Sequence, residues 1–409
     1  MAAATTGASS MNYVRRHKLN VTDCTKGLYH KSATICSVSL RPLRTETSLS
    51  LISAGNSVPH VVATGPASAW QSSSSRGIRL VPFHDEVKKF KIHRMSATMN
   101  STGPAVSGSN ITITKLEEEV WEGCNLQHGE MSADGVKIHF VEAGDPAGKL
   151  VVLLHGFPNI WFVWRNQFKP LVEAGYHVIA PDLRGYNRSS RFENTKDYGR
   201  SAVLQDIEKL IDNFGAGKAA ILAGHDWGAI IAWAFAEDYP SKVEKLVPTN
   251  MGRLSDFQKV LSSNFRQLLK SWYIGFFQIS IIPEAYFTKL TVNSIKNFKS
   301  MCPGATDEDI KRLLEAFTLP GGAMGGIRYY RAASQGLWNR PDGSVPVVSC
   351  PVTTIWGDQD AYILPIIAES DKEKTPNFKL VHLPKSGHWP MWDEPDLFNK
   401  FFLEAISRN

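Results

Sequence analysis

An aspartate sits between two glycines where an apolar strand pattern gives way to an apolar helix pattern. The run is Gly224-His225-Asp226-Trp227-Gly228, preceded by Ala220, Ile221 and Leu222 and followed by Ile230, Ile231, Trp233, Ala234 and Phe235. Strand, tight turn and helix in this order are the setting of a nucleophile elbow, G-x-S-x-G, with Asp226 where the serine would stand. A carboxylate that attacks a carbonyl gives an anhydride, a poor covalent intermediate. Attack on a saturated carbon that carries a strained or good leaving group gives a stable alkyl ester. The elbow therefore points to epoxides or halides before esters. The plainer alternative is a buried aspartate capping the helix that begins at Trp227.

The surrounding pattern extends the strand–helix alternation. Lys137–Val141, Leu150–Leu154, His177–Ala180, Ala219–Ala223, Val243–Val247, Val352–Trp356 and Lys379–Leu383 read as strands. Val203, Ile207, Leu210, Ile211 and Phe214 recur at helical spacing, and a last helix is predicted over Pro395–Ile406. Such alternation gives an α/β fold with a mostly parallel sheet and helices on both faces. The rhythm breaks over residues 250–350, where apolar helical sequence such as Trp272–Ile279 reads as an inserted helical cap. The core is then expected over 111–249 and 351–409. The run Gly321–Gly326 lacks the Lys-Ser/Thr ending of a phosphate loop and is taken as a loop between cap helices.

Charge is unevenly spread. Residues 1–110 hold 13 Lys/Arg against four acids, so the +6 of the whole chain lies in this leader and the remainder is net acidic. Nucleic-acid binding by the folded part is not expected. The leader is rich in Ser, Thr, Ala and Arg and lacks the compact apolar core of a secretory signal. This composition predicts a transit peptide and disordered leader, with the chloroplast as destination and the mitochondrion as alternative. A start at Met95 or Met99 would give a cytosolic form. No stretch is long and apolar enough to span a bilayer. Five scattered cysteines, with no C-x-x-C, imply neither a disulfide framework nor a zinc site.

A carboxylate nucleophile needs a base to activate the water that releases it. His388, in Ser386-Gly-His-Trp389 between the last strand and the last helix, is the candidate. Asp360, in Trp356-Gly-Asp-Gln-Asp360, is the acid that would orient it, with Asp358 as the rival. The order Asp226, Asp360, His388 matches nucleophile, acid, histidine in the α/β-hydrolase arrangement. All three fall at carboxyl ends of strands, where open α/β sheets place their sites. An oxyanion on the ester carbon would meet the backbone N–H of Trp227 and of Phe157, the latter in His155-Gly-Phe-Pro158. His155 and His225 are assigned structural roles.

From about Glu130 onward the chain resembles the α/β-hydrolase-fold epoxide hydrolases. The matching runs are His155-Gly-Phe-Pro158 with Trp161 and Trp164-Arg165, Asp182-Leu-Arg-Gly-Tyr186, Gly224–Gly228, Trp356–Asp360 and Gly387-His-Trp389. The resemblance implies two cap tyrosines that hydrogen-bond and protonate the epoxide oxygen. Tyr273 and Tyr330 match these positions, whereas Tyr329 is not followed by arginine and is set aside. It also implies a small epoxide and water as partners, no cofactor and no metal, and a vicinal diol as product. Trp161, Phe276 and Phe277 are the expected apolar pocket residues. One departure stands out: Asn250-Met-Gly252-Arg253 replaces the family's Asn-x-Pro-His. Arg253 either reaches the pocket mouth, where it would favour an anionic substrate, or is solvated. Two rivals remain, a haloalkane dehalogenase using the same Asp and His, and a ligand-binding protein without turnover.

Overall fold

The structure, a computed structural model, describes residues 48–52, 60–64, 111–290, 299, 302–322, 324–369 and 373–407. Strands β1 (Ser48–Ile52) and β2 (His60–Thr64) form an antiparallel pair in a unit separate from residues 96–409. The remainder of the expected targeting leader lies outside the described residues.

From residue 111 onward the described residues are built on a nine-stranded sheet. Its strands are β3 (Thr112–Trp121), β4 (Cys124–Ala133), β5 (Val136–Ala143), β6 (Lys149–Leu154), β7 (Tyr176–Pro181), β8 (Ala220–His225), β9 (Val243–Thr249), β10 (Val352–Gly357) and β11 (Phe378–Leu383). Their order across the sheet is β11-β10-β9-β8-β6-β7-β5-β4-β3. From β7 to β11 every pairing is parallel, while β3, β4 and β5 join antiparallel and β5 also meets β7 antiparallel. The fold is α/β, with a mostly parallel sheet.

Strands β6 and β8 are apolar over most of their length because both faces are covered. β8 is buried at all six positions. Helix α1 (Arg165–Glu173), helix α2 (Arg200–Phe214) and helix α3 (Trp227–Asp238) follow β6, β7 and β8. α2 buries Val203, Leu204, Ile207, Leu210 and Ile211, the helical stripe read from the sequence. α3 is buried on nearly every side, which explains why its sequence shows no polar face.

Strands β3 and β4 have no counterpart in the sequence reading. β3 carries Glu117, Glu118 and Glu119, is largely exposed, and pairs only with β4 through a register shift between Lys115 and Glu118. Charged residues and irregular pairing are how proteins blunt an edge strand, and they erase the alternation by which a strand is recognised.

Between β9 and β10 the chain leaves the sheet to form α4 (Leu254–Ser263), α5 (Phe265–Lys270), α6 (Trp272–Phe277) and α7 (Ile282–Leu290), then helices at Asp307–Thr318 and Met324–Ser334. The loop expected over the glycine run holds for Gly321 and Gly322, which lie in a turn, and is corrected at Gly325 and Gly326. Gly325 and Gly326 lie in the first turn of the last cap helix, since a Cβ on Gly325 would fall into the Gly185 backbone and one on Gly326 would strike the Phe157 ring. The run seats this helix directly on the core. Among the described residues no helix is long and apolar enough to cross a membrane.

The elbow glycines are also fixed by close approach. A Cβ on Gly224 would overlap the Gly228 carbonyl, and one on Gly228 would overlap the carbonyl of Leu154 on β6. Neither obstacle is a movable side-chain tip. Gly228→Ala is therefore expected to cost about 3 kcal/mol of unfolding free energy, read as a lower midpoint in urea. An unchanged midpoint would show that the two backbones have room to part.

Candidate active site

Asp226 occupies the turn between β8 and α3 with φ 53° and ψ −118°, a conformation that L residues rarely adopt. It stands at the N-cap position, yet its side chain makes no capping hydrogen bond. The capping alternative is thus set aside. Its Oδ1 accepts a 2.8 Å hydrogen bond from the Phe157 N–H, and a Cβ on Gly156 would run into the same carboxylate. The loop after β6 and the turn after β8 therefore hold one another.

His388 lies between two carboxylates. Its Nδ1 is 2.6 Å from Asp360 Oδ2, and its Nε2 is 3.5 Å from Asp226 Oδ2. All three side chains are buried. Burial alone would depress the imidazole, but the charge of Asp360 and the contact with Asp226 outweigh it and raise its pKa to about 10. Asp360 stays below the usual carboxylate range, because the imidazolium and several hydrogen bonds overcome its burial. The donors are the N–H groups of Tyr362 (2.7 Å) and Ile363 (2.9 Å) and the Asn250 amide (2.8 Å). Asp358 pairs instead with His382 at 2.7 Å, so the rival acid is excluded by position.

Asn250 is the functional residue that the sequence reading passed over. It follows β9 with φ 47°. Its amide nitrogen bonds Asp360, and its carbonyl oxygen accepts the Gly357 N–H at 2.9 Å. It thereby ties the end of β9 to the acid loop after β10. No local pattern marks such a role, which depends on the neighbouring strand. Tyr362 was also missed. Its ring lies 5.3 Å from His388 and 6.1 Å from Tyr273.

Both cap tyrosines reach the nucleophile. Tyr273 and Tyr330 line a cavity of about 170 Å³ together with Asp226, Trp227, Met251, Leu254 and other cap residues. Their rings meet edge to face at 5.9 Å, and Tyr330 also packs perpendicular to Trp227 at 5.2 Å. Burial, reinforced by Asp226, pushes both phenols well above their ordinary pKa, so they remain neutral donors. Tyr329, set aside earlier, donates to the Arg184 carbonyl at 3.1 Å.

The expected pocket aromatics divide. Phe277 does not line the cavity itself but packs on one of its lining residues, Tyr330, at 4.9 Å, and on Phe157 at 5.3 Å. Phe276 does not line it, packing instead against Trp272 and Tyr286. Trp161 is likewise absent from its walls. It borders a separate cavity beside His128 and Arg312, and its backbone N–H donates to Asp182 Oδ1 at 3.0 Å. His155 accepts the Leu183 N–H, and His225 Nε2–H donates to the His388 carbonyl, so both brace the loops.

Arg253 fits neither expectation. It is buried, stacked over Trp233 at 4.8 Å, and bonded to Glu237, Thr375 and the carbonyls of Pro346 and Lys374. The chain enters the cap at Arg253 and has returned by Pro346, so this guanidinium clamps the two crossings together. Gly252 is required beside it, because a Cβ there would overlap the Ile367 carbonyl. Among the described residues no group of three or more His, Cys, Asp or Glu is placed to hold a metal ion.

A raised imidazole pKa stabilises the fold while the ring is charged. This contribution is full below the unfolded value of about 6.5 and is lost as pH rises through about 10. The stability gap between the native chain and His388→Asn, from urea unfolding, is expected to be largest near neutral pH and to close through that range. A gap that stays constant would contradict the raised pKa.

A family model described as alpha/beta hydrolase fold matches residues 149–395. The AB hydrolase superfamily protein YfhM of Bacillus subtilis (strain 168) is 35% identical, the match covering 68% of this chain and 96% of that protein. Epoxide hydrolase 4 of Homo sapiens is 34% identical over 67% of this chain and 77% of its own length. Among solved structures, the Bacillus megaterium epoxide hydrolase in complex with an inhibitor superposes with a TM-score of 0.61, at 27% identity, over 68% of this chain and all of that one (100%). With the elbow aspartate and the two cap phenols around one cavity and the histidine set against that aspartate, the chain belongs to the α/β-hydrolase-fold family and, within it, to the epoxide hydrolases.

Proposed function

We propose that this chain hydrolyses epoxides to vicinal diols in two covalent steps, acting on lipophilic small molecules. One observation carries the reading: the Asp226 carboxylate and two neutral phenols line a single cavity, with His388 Nε2 standing 3.5 Å from that carboxylate. The kinship with epoxide hydrolases supports the reaction class.

In the first step an Asp226 oxygen attacks a ring carbon and the C–O bond on that carbon breaks. The developing alkoxide takes its proton from Tyr273 or Tyr330, whose high pKa values match an alkoxide better than a carboxylic acid would. In the second step His388 Nε2 removes a proton from water, and the hydroxide adds to the carboxyl carbon of the Asp226 ester. The oxyanion formed there is held by the N–H of Phe157 and of Trp227. Collapse expels the second oxygen as an alkoxide, which takes the proton of the newly formed Asp226 acid to give the diol and restore the carboxylate, leaving His388 protonated as at the start.

The electrostatics support this order of events. In the free protein two anions hold the proton on His388. Esterification removes the charge of Asp226, so the imidazole then faces Asp360 alone and gives up its proton, which reprotonates the tyrosinate left by ring opening. The base becomes competent when its substrate, the ester, has formed.

Trp227 beside the nucleophile would also suit a haloalkane dehalogenase, in which an indole helps to hold the leaving halide. Phe157 stands where such an enzyme would carry a second halide donor, and a tyrosine pair has no task in that reaction. Turnover in heavy-oxygen water, followed by mass analysis of the peptide containing Asp226, is expected to show label in that carboxylate after repeated cycles. Label confined to the diol would eliminate the covalent route. Halide release from alkyl halides with no diol from any epoxide would favour the dehalogenase.

A further inference from the structure

Most of the large apolar side chains that stand exposed among the described residues fall in one stretch of the cap, residues 265–286. Phe265, Leu268, Leu269 and Trp272 recur at helical spacing from α5 into α6, with Phe265 70% and Trp272 68% exposed. The half-buried Phe276 ring joins Trp272 to Tyr286 on α7, at 6.0 Å from each. Ile279, Ile281 and Ile282 continue the surface between α6 and α7. An apolar patch gathered in this way marks a docking surface, whereas singly scattered exposed residues do not.

The turn at Ile281 adds a second sign. Ile281 is 76% exposed and takes φ 72°, which a β-branched residue rarely adopts. The Ile282 N–H closes the turn onto the Ser280 carbonyl at 2.9 Å. Arg331 holds its start by donating to the carbonyls of Phe277 and Ile279, each at 2.9 Å. A strained backbone thus keeps an isoleucine in solvent, where it adds little packing to the fold.

Charge selects the occupant. The chain beyond the leader is net acidic, yet between Lys259 and Phe287 the only acid is Glu284, which pairs with Arg331 at 2.6 Å. Lys259 and Arg266 are exposed and have no ion-pair partner among the described residues. Lys270 meets the carbonyls of Asp360 and Ala361 rather than an acid. The surface therefore combines exposed rings and branched apolar chains with uncompensated cations. A second copy would set these cations against their own kind, and so would the basic leader. An anionic bilayer surface satisfies both features, because its headgroups attract cations and its boundary takes up amphipathic rings and apolar chains.

We propose that this face of the cap docks on an anionic lipid surface, with Trp272 and Ile281 entering the acyl boundary and Lys259 and Arg266 meeting phosphate headgroups. The docking does not depend on the epoxide reading. Trp272 precedes Tyr273 on α6, and Tyr273 lines the cavity above Asp226. Docking therefore brings lipid against the helix that carries this phenol.

The test mixes the full chain with vesicles of phosphatidylcholine alone or of phosphatidylcholine with phosphatidylglycerol, and reads amide hydrogen exchange together with cosedimentation. Slower exchange over residues 265–286 with the mixed vesicles is the expected result. Arg266→Gln is expected to weaken partitioning about fivefold, the value of one cation near an anionic surface. Leu268→Ser combined with Trp272→Ser is expected to weaken it at least about tenfold, from the apolar area withdrawn from the lipid. The exchange measurement uses the native chain and so stands even if a variant folds poorly. Protection confined to the leader overturns the proposal, as does an absence of protection with either vesicle. Protection of residues 265–286 in concentrated protein without lipid, as a second copy would give, also overturns it.

Discussion

A buried imidazole held between two carboxylates is the interaction around which this molecule is arranged. Two negative charges and one positive charge in the interior leave an anion that water cannot solvate, and each lone pair needs a donor. Four donors come from three separate places: the Phe157 N–H after β6, Asn250 after β9, and the Tyr362 and Ile363 N–H groups after β10. That requirement constrains the topology. Asp226 follows β8, Asp360 follows β10 and His388 follows β11, so the two acids can share the histidine only if β9 lies between their strands and its own end helps to bind Asp360. A parallel sheet supplies this because it brings successive carboxyl ends to one edge.

The cap completes the environment by proximity more than by its own polarity. Two glycines allow its last helix to approach Gly185 and Phe157 without side chains between them. Tyr330 is thereby lowered onto the aromatic wall formed by Phe157 and Phe277. Dry aromatic surroundings keep both phenols protonated, and the same dryness magnifies the pull of each carboxylate on His388. Arg253 fastens the base of this lid by binding both ends of the excursion.

Much of this was legible in the sequence, and the limits have physical causes. The elbow, the acid loop and the histidine loop each combine a glycine with a chemically distinctive residue at a strand end, so their placement can be read locally. Strand β3 escaped because a charged edge strand has no apolar alternation to detect, and β4 because Cys124, His128 and Gly129 share its buried positions with Leu126 and Met131. Asn250 escaped because its amide acts on residues more than a hundred positions away in the chain. Arg253 was expected at a pocket mouth or in solvent, since a charged residue in sequence looks exposed. Its burial depends on carbonyls from Pro346 and Lys374 that only the folded chain brings together. Trp161 and Phe276 show the converse limit, because an aromatic residue near a motif need not face the cavity that the motif builds.

The proposed chemistry gives His388 no part in ring opening and an indispensable part in releasing the ester. Rapid mixing of the His388→Gln protein with an epoxide, followed by intact-mass analysis, separates these roles. Stoichiometric gain of one substrate mass, localised to Asp226 and stable over many native turnover times, is the expected result. Absence of any adduct while the native protein makes diol, or an adduct on a different residue, would contradict a covalent role for the elbow aspartate.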